Sequence, residues 1–122
     1  MRWLLHGNLT AAVGEALRQR GDTPVDPAAV GVTPETPQAE VLKAAHKAQL
    51  DLMTNDVKMA EAPFGDEAPT FGRSIVYLQL EGGEVEQDDA VTRLFERYKR
   101  LTPGRLYTVT GSRVKIRQLP VR

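Results

Sequence analysis

Segments typical of strands and segments typical of helices alternate along the chain, and this alternation restricts the fold more strongly than any other feature of the sequence. The chain opens with a short apolar run, Trp3-Leu4-Leu5. The clearest strand-like run, residues 74–80 (SIVYLQL), is rich in β-branched and aromatic side chains. The predicted order is strand, helix, strand, helix, strand, strand, helix, strand, strand. Because strands that alternate with helices form mainly parallel sheets, we expect an α/β fold with helices flanking the sheet.

The other strands are short, and the last two are adjacent in the sequence. We expect them at residues 23–26, 50–54, 106–110 and 113–119. Gly111-Ser112, between the last two, stands where a tight hairpin turn would. The sequence therefore predicts an antiparallel hairpin at one edge of the sheet.

Three helices are predicted from apolar residues that recur on one helical face. Asn8 is the expected N-cap of the first helix, and Gly21 is expected to end it. Thr36 and Pro37 are the expected N-cap and first residue of the second helix. The apolar stripes are Leu9, Val13, Ala16 and Leu17 in the first helix, Val41, Leu42, Ala45 and Ala48 in the second, and Val91, Leu94, Phe95, Tyr98 and Leu101 in the third.

Length and composition limit the size of the fold and its location. At 122 residues the chain is expected to form one domain, residues 1–122, with one core. The sequence contains no cysteine, which excludes disulfides and thiolate metal sites and favours a reducing compartment. Its apolar runs are far shorter than the ~20 residues that span a bilayer. The apolar run at the N-terminus is too short for a signal peptide. We therefore expect a cytoplasmic protein without membrane contact.

Charge is distributed unevenly along the sequence, although the formal net charge is zero. Residues 97–122 contain half of the 16 Lys and Arg and none of the 16 Asp and Glu. Such an asymmetry has two interpretations. It points to an anionic partner, or the basic segment folds back on the acidic part and the two neutralise each other.

The last predicted strand carries three of these cations on one face. Arg113, Lys115 and Arg117 alternate with Val114 and Ile116, so the two apolar residues are expected to face the core. The cations are candidate contacts to RNA phosphates or to a protein partner. Alternatively, they keep an edge strand from pairing with other chains.

Three short motifs stand at residues 1–10 (MRWLLHGNLT), 52–56 (LMTND) and 73–80 (RSIVYLQL). With the order of elements, they resemble the small bacterial PIN-like nucleases of toxin–antitoxin type, whose opening MKFLLDENLS is similar to residues 1–10. Residues 41–45, followed by residues 52–56 (LMTND), are similar to a helix of the family and its strand end vlvTrDkDF. Residues 73–80 are similar to a GvillrL strand. The resemblance covers essentially the whole chain by element order, with fewer than ten motif residues. It implies a three-layer PIN-like domain.

PIN-like nucleases cut RNA with a divalent cation, Mg²⁺ or Mn²⁺, that a few carboxylates hold. His6 stands where the family has its first aspartate, and Gly7 where it has the adjacent acid. Gln38 stands at the aspartate that begins the second helix, and Lys58 at the second of two paired aspartates, of which Asp56 remains. Because a hard cation needs several oxygen ligands, the resemblance implies a degenerate site. Strand ends and helix starts of a parallel sheet share one rim, so we expect these positions to converge in one pocket.

Three residues are candidates for catalytic roles, and each also has a structural interpretation. His6 is a candidate general base or metal ligand, or a hydrogen-bonded residue at a strand end. Asn8 is a candidate site residue, or a helix cap. Asp56 is the candidate metal ligand, or the cap of a short helix from Val57 to Ala60.

Four functional hypotheses follow. The first is a degenerate PIN-like protein that binds RNA or a protein partner without cutting and needs no cofactor. The second is a metal-dependent ribonuclease, the toxin of a toxin–antitoxin pair, in which His6 and Asp56 complete an altered site with Mg²⁺ or Mn²⁺. The third is a nuclease silenced by an engineered His6, against which Gln38 and Lys58 count. The fourth is an α/β domain with an unrelated role. The resemblance also implies a small DNA-binding antitoxin, or a second copy of the chain, as partner.

Overall fold

The computed structural model describes residues 1–120, which form six strands, four α-helices and two short 3₁₀ segments. The strands are β1 (Arg2–His6), β2 (Thr23–Val25), β3 (Asp51–Thr54), β4 (Ile75–Leu78), β5 (Arg105–Val109) and β6 (Val114–Gln118). The helices are α1 (Ala11–Gln19), α2 (Gln38–Lys47), α3 (Val57–Glu61) and α4 (Glu84–Arg97), with 3₁₀ segments at Pro27–Val30 and Ala62–Phe64. No helix within residues 1–120 is both long enough and apolar enough to cross a bilayer.

The strands form one sheet in the order β2-β1-β3-β4-β5-β6. Neighbouring strands are parallel from β2 to β5, and β6 runs antiparallel to β5. The expected α/β fold, with a mainly parallel sheet and a C-terminal antiparallel hairpin, is therefore confirmed. From β1 the chain builds β2 on one side and β3 on the other, so the strand order reverses beside β1. In open sheets of this kind, ligands bind outside the carboxyl ends of the strands at such a reversal.

Helices cover both faces of the sheet, and each face has its own apolar core, so the expectation of one core is wrong. α1 and α4 contribute to one core, and α2 and α3 contribute to the other. The sheet residues are Trp3, Met53, Val76, Leu78, Tyr107 and Val109 on the α1/α4 face, and Leu4, Leu52, Ile75 and Leu106 on the α2/α3 face. Full burial of one such side chain contributes roughly 1.5–3 kcal/mol. These two cores therefore hold the helices on the sheet.

Two of the predicted helix caps are wrong. The N-cap of α1 is Thr10 rather than Asn8. The backbone nitrogen and hydroxyl of Thr10 both donate to Oε1 of the buried Gln87 in α4, at 2.8 and 3.1 Å. At α2, Pro37 occupies the N-cap position, and the Thr36 hydroxyl accepts a hydrogen bond from the preceding turn instead. Contacts outside each helix therefore determine where it begins.

The third predicted helix, α4, is shorter at its C-terminus than its apolar stripe indicates. It ends at Arg97, and Tyr98 already has an extended backbone (φ −125°, ψ 93°). Tyr98 and Leu101 nevertheless pack in the α1/α4 core. The spacing of apolar residues reports burial, and here burial continues after the helix has ended.

The prediction that Val114 and Ile116 both face the core is wrong for Ile116. This residue lies opposite Tyr107, and so on the α1/α4 face, but it is 40% exposed. Val114 is half-buried against the α1/α4 core. Alternation along a strand determines which face a residue occupies, whereas cover on that face depends on the helices. β6 is the edge strand, and the cover is incomplete there.

Candidate functional site

The carboxyl ends of β1 and β3, at the reversal of strand order, are joined by a hydrogen-bonded pair. His6 lies opposite Thr54 in the sheet, and its Nδ1 is 3.0 Å from Thr54 Oγ1. The same hydroxyl oxygen accepts a hydrogen bond from Asp56 N, also at 3.0 Å. Thr54 is fully buried, and its hydroxyl oxygen lies between the backbone N–H of Asp56, which donates to it, and the imidazole of His6.

The loop after β1 is held against the loop after β3 by one amide side chain. Asn55 Oδ1 accepts from Asn8 N at 2.9 Å, and Asn55 Nδ2 donates to Asn8 O at 3.2 Å. Gly7 has a left-handed backbone (φ 89°), and a Cβ there would lie 2.5 Å from Asn55 Oδ1. Asn8 is therefore fixed through its backbone, while its side chain is exposed. Sequence reasoning missed Asn55, although its place after a strand end, opposite a glycine turn, is a usable signal.

Asp56 caps the short helix α3, as its structural interpretation predicted. Its backbone is extended, and its Oδ1 accepts from Lys58 N at 3.0 Å. Lys58 itself is exposed and, within residues 1–120, its ammonium group has no ion-pair partner. One of the two carboxylate oxygens of Asp56 is therefore already engaged with the backbone.

The structure brings His6 and Asp56 together through Thr54, but it does not connect Gln38 to them. Gln38 is the first residue of α2 and is half-buried. In the described part of the chain it makes no side-chain hydrogen bond with either residue. The carboxyl rim, which is defined by the ends of β1, β3, β4 and β5, thus holds one imidazole and one carboxylate in close relation.

Burial and charge set the protonation of two groups at this rim. Burial lowers the pKa of His6 below its ordinary value of 6.5, and the negative charge of Asp56 offsets part of that effect. His6 is therefore neutral at neutral pH. Burial, followed by the charges of Asp56 and Glu61, raises the pKa of Tyr77 above 10.0. Tyr77 accordingly keeps its hydroxyl proton and remains a hydrogen-bond donor.

Sheet register places five polar residues in one row across the carboxyl rim. We call this set the polar row: His6, Thr54, Tyr77, Thr108 and Lys115. Each residue lies opposite the next on a neighbouring strand, so all five side chains share the α2/α3 face. Four strand spacings separate His6 from Lys115, which is about 19 Å at ~4.8 Å per spacing. The row therefore joins the two regions that the sequence marked as candidate sites.

A second row lies on the same face, two residues away from the polar row along each strand. It consists of four leucine and isoleucine side chains, Leu4, Leu52, Ile75 and Leu106, and its last member, on β6, is the cation Arg117. Arg117 places its guanidinium 3.6 Å from the ring centroid of Phe64, and its Nη1 is 3.4 Å from Glu61 Oε2. Arg117 is thus held by its neighbours within the fold.

The other two cations of the last strand segment are not held in this way. Arg113 and Lys115 are exposed, and within residues 1–120 neither side chain makes an ion pair. The interpretation in which the basic segment folds back on acidic residues therefore applies to Arg117, through Glu61, and not to this pair.

The carboxyl rim offers few ligands to a divalent cation. Within residues 1–120, no three His, Cys, Asp or Glu side chains lie close enough together to hold a metal ion. At the ends of β1 and β3, Mg²⁺ or Mn²⁺ would meet the carboxylate of Asp56 and the imidazole of His6. A hard cation usually takes several oxygen ligands from the protein or its substrate.

The fold and the rim define an α/β protein with a mainly parallel sheet and a polar row that ends at the cation Lys115 on the edge strand. Comparison of the chain with protein-family models, with curated proteins and with solved structures found no match. The resemblance to PIN-like nucleases therefore stays a prediction.

Proposed function

We propose that this protein is a non-catalytic PIN-like protein that binds single-stranded RNA along the carboxyl rim of its sheet. The observation that carries the proposal is the polar row, because it leads from His6 to the unpaired cation Lys115. Of its groups, the imidazole of His6, the phenol of Tyr77 and the hydroxyl of Thr108 can donate to and accept from base edges and ribose 2′-hydroxyls. The Thr54 hydroxyl is fully buried and engaged by Asp56 N and His6 Nδ1, so it supports the row from below. The ring of the half-buried Tyr77 adds a surface on which a base can stack.

Charge along the polar row favours one direction for the RNA backbone. Asp56 and Glu61 are close enough to Tyr77 to raise its pKa, so that end of the row repels phosphates. Arg113 and Lys115, at the other end, attract them. We therefore propose that phosphates lie along β6 while bases and sugars reach inward along the row.

Three features support a binding role rather than a cleaving one. Asp56 is a single carboxylate, and its Oδ1 already caps α3. His6 is neutral, and its Nδ1 is engaged by Thr54. Lys58 contributes a positive charge close to where a cation would have to bind.

A salt titration of fluorescent single-stranded RNA tests the proposal. The parent protein should bind in the presence of EDTA, and its affinity should fall with salt at a slope of about −1.4, from two phosphate contacts at roughly −0.7 each. The double variant Arg113→Glu/Lys115→Glu should lose this binding. Arg117 is left unchanged because Arg117→Glu would remove its stacking on Phe64 and place a second acid beside Glu61.

The matched control reverses two exposed cations elsewhere that also make no ion pair within residues 1–120, in Lys47→Glu/Arg97→Glu, and should bind RNA like the parent. The RNA role is refuted if the parent does not bind at low salt, or if both double variants bind as well as the parent.

The exposed edge of β6 favours a second candidate function, which is association with a protein strand. β6 has one neighbour in the sheet, and Ile116 on it is 40% exposed. An edge strand with an apolar residue can accept another strand through backbone hydrogen bonds. We propose a second copy of the chain as the occupant.

Sedimentation equilibrium tests this second candidate. It should find a dimer for the parent and a monomer for Ile116→Lys, and a monomeric parent would refute the candidate. The small DNA-binding antitoxin implied by the resemblance is the other outcome to test, by adding that protein if one is encoded nearby.

The alternative of a metal-dependent ribonuclease requires Asp56 and His6 to complete an altered site. Asp56→Asn is the discriminating variant because asparagine also caps helices but carries no charge for a cation. RNA cleavage with Mg²⁺ or Mn²⁺ that disappears in Asp56→Asn would establish the nuclease and overturn the non-catalytic proposal.

A further inference from the structure

A second group of cations lies at the opposite, amino-terminal rim of the sheet. Arg20 follows α1, Arg73 precedes β4, and Lys99 and Arg100 lie between α4 and β5. We call these four residues the amino rim. They line one cavity of about 400 Å³ together with Asp51. We propose that the amino rim binds the phosphate group of a small phosphorylated ligand.

Two buried carboxylates hold the arginines of the amino rim in place. Arg20 Nη1 is 3.4 Å from Asp22 Oδ2, and Arg73 Nη2 is 3.3 Å from Asp51 Oδ2. Both acids are shared with other donors. Asp22 Oδ2 also accepts from Trp3 Nε1 at 3.0 Å, and Asp51 Oδ1 accepts from the backbone nitrogen of residue 74 at 2.9 Å. The two carboxylates therefore position the arginines, but they supply two negative charges against the four positive charges of the amino rim.

Each of the two arginines has a donor that the fold leaves unused. The Nε atoms of Arg20 and Arg73 are buried and, within residues 1–120, have no hydrogen-bond partner. Protein atoms cover both Nε atoms, so these donors do not face the cavity themselves. The side chains are nevertheless 24% and 38% exposed, so other atoms of the two arginines remain open to a ligand in the cavity they line.

The conformation of Arg20 is fixed before any ligand binds. Its guanidinium lies 3.6 Å from the ring centroid of Phe95, and its Nη2 donates to Lys99 O at 3.3 Å. The side chains of Lys99 and Arg100 are exposed and unpaired among the described residues. A planar guanidinium held in one orientation, beside two free cations, suits a tetrahedral oxyanion that accepts several charge-assisted hydrogen bonds.

Isothermal calorimetry with inorganic pyrophosphate, at constant ionic strength, tests the proposal. The double variant Lys99→Ala/Arg100→Ala removes two exposed side chains and leaves the Lys99 carbonyl that Arg20 uses. It should bind pyrophosphate at least about tenfold more weakly than the parent. The control Lys43→Ala/Lys58→Ala loses the same charge from two exposed side chains on α2 and α3 and should bind as the parent does.

Nitrogen-15 NMR supplies a second measurement. The Nε–H resonances of Arg20 and Arg73 should shift on addition of pyrophosphate, and chloride at equal ionic strength should leave them in place. No pyrophosphate binding by the parent, equal weakening in both double variants, or unshifted Nε–H resonances would overturn the proposal. Displacement of pyrophosphate by single-stranded RNA that lacks a terminal phosphate would also overturn it, because the amino rim would then be a nucleic-acid surface.

Discussion

The Thr54 hydroxyl joins three parts of the candidate site, and Thr54→Val removes it with almost no change in shape. The hydroxyl oxygen lies 3.0 Å from both Asp56 N and His6 Nδ1, and the residue is fully buried. Valine would leave the half-buried N–H of Asp56 without its partner, at a cost of roughly 1–3 kcal/mol. The added methyl group recovers part of that cost through apolar burial, at ~0.8 kcal/mol per carbon. We therefore expect Thr54→Val to lower the free energy of unfolding by about 1–2 kcal/mol.

The polar row provides a matched control at Thr108. This threonine lies two strands away on the same face and is half-buried, and its hydroxyl makes no hydrogen bond within residues 1–120. Thr108→Val should change the free energy of unfolding by less than about 0.5 kcal/mol. Urea denaturation followed by circular dichroism, with equal m-values, measures both variants. If the two variants are equally stable, the Thr54 hydroxyl does not connect the rim as we describe.

Three further predictions concern the same rim. Gly7→Ala should destabilise the fold by more than about 1 kcal/mol, because it adds a clash with Asn55 to the cost of a left-handed backbone. The control Gly21→Ala has a similar backbone (φ 88°) but no atom near the added carbon, so it should cost less. Thermal denaturation compares the two variants, and equal losses of stability would contradict the clash. Asp56→Ala should lose about 1 kcal/mol of stability through the cap of α3, whereas Asp56→Asn should lose little, and urea midpoints would contradict this if the two variants matched. The pKa of His6, followed by proton NMR, should lie below 6.5 and fall further in Asp56→Asn, because burial lowers it and Asp56 raises it. Since the unfolded chain then binds more protons than the folded one, stability should rise with pH through this window and be lost as pH falls below 6.5; a flat profile that His6→Gln leaves unchanged would contradict the argument.

The sequence was sufficient to predict the order of the six strands and of α1, α2 and α4, because each of these elements carries its own periodic pattern. The predicted order omits α3, which entered only as one interpretation of Asp56. Trp3-Leu4-Leu5 and the run around Ile75–Leu78 identify strands without knowledge of the rest of the fold. The start of α1 was not predictable in this way. Thr10 begins the helix because it donates hydrogen bonds to Gln87, which is far along the chain. The residues around Asn8 give no indication of that contact.

The candidate site was predictable only in part, for a related reason. Strand ends identify His6 and Asp56 as residues of one rim, since each follows an apolar run. The polar row depends on register between strands, which places Tyr77 beside Thr54 and Lys115 beside Thr108. Alternation within a strand specifies a face, but it leaves the pairing with the neighbouring strand open. The amino rim was missed for the same reason, because its cations come from separate loops.

The position of β1 between β2 and β3 has a consequence for how the chain folds during synthesis. β1 is complete at His6, but its second neighbour, β3, begins only at Asp51. The α1/α4 core, which covers Trp3, waits for residues as late as Leu94. Such distant pairings close slowly compared with local ones. A ribosome-bound chain that ends before Glu84 therefore lacks the α4 part of the core around Trp3, and it is in that interval that aggregation competes most strongly with folding.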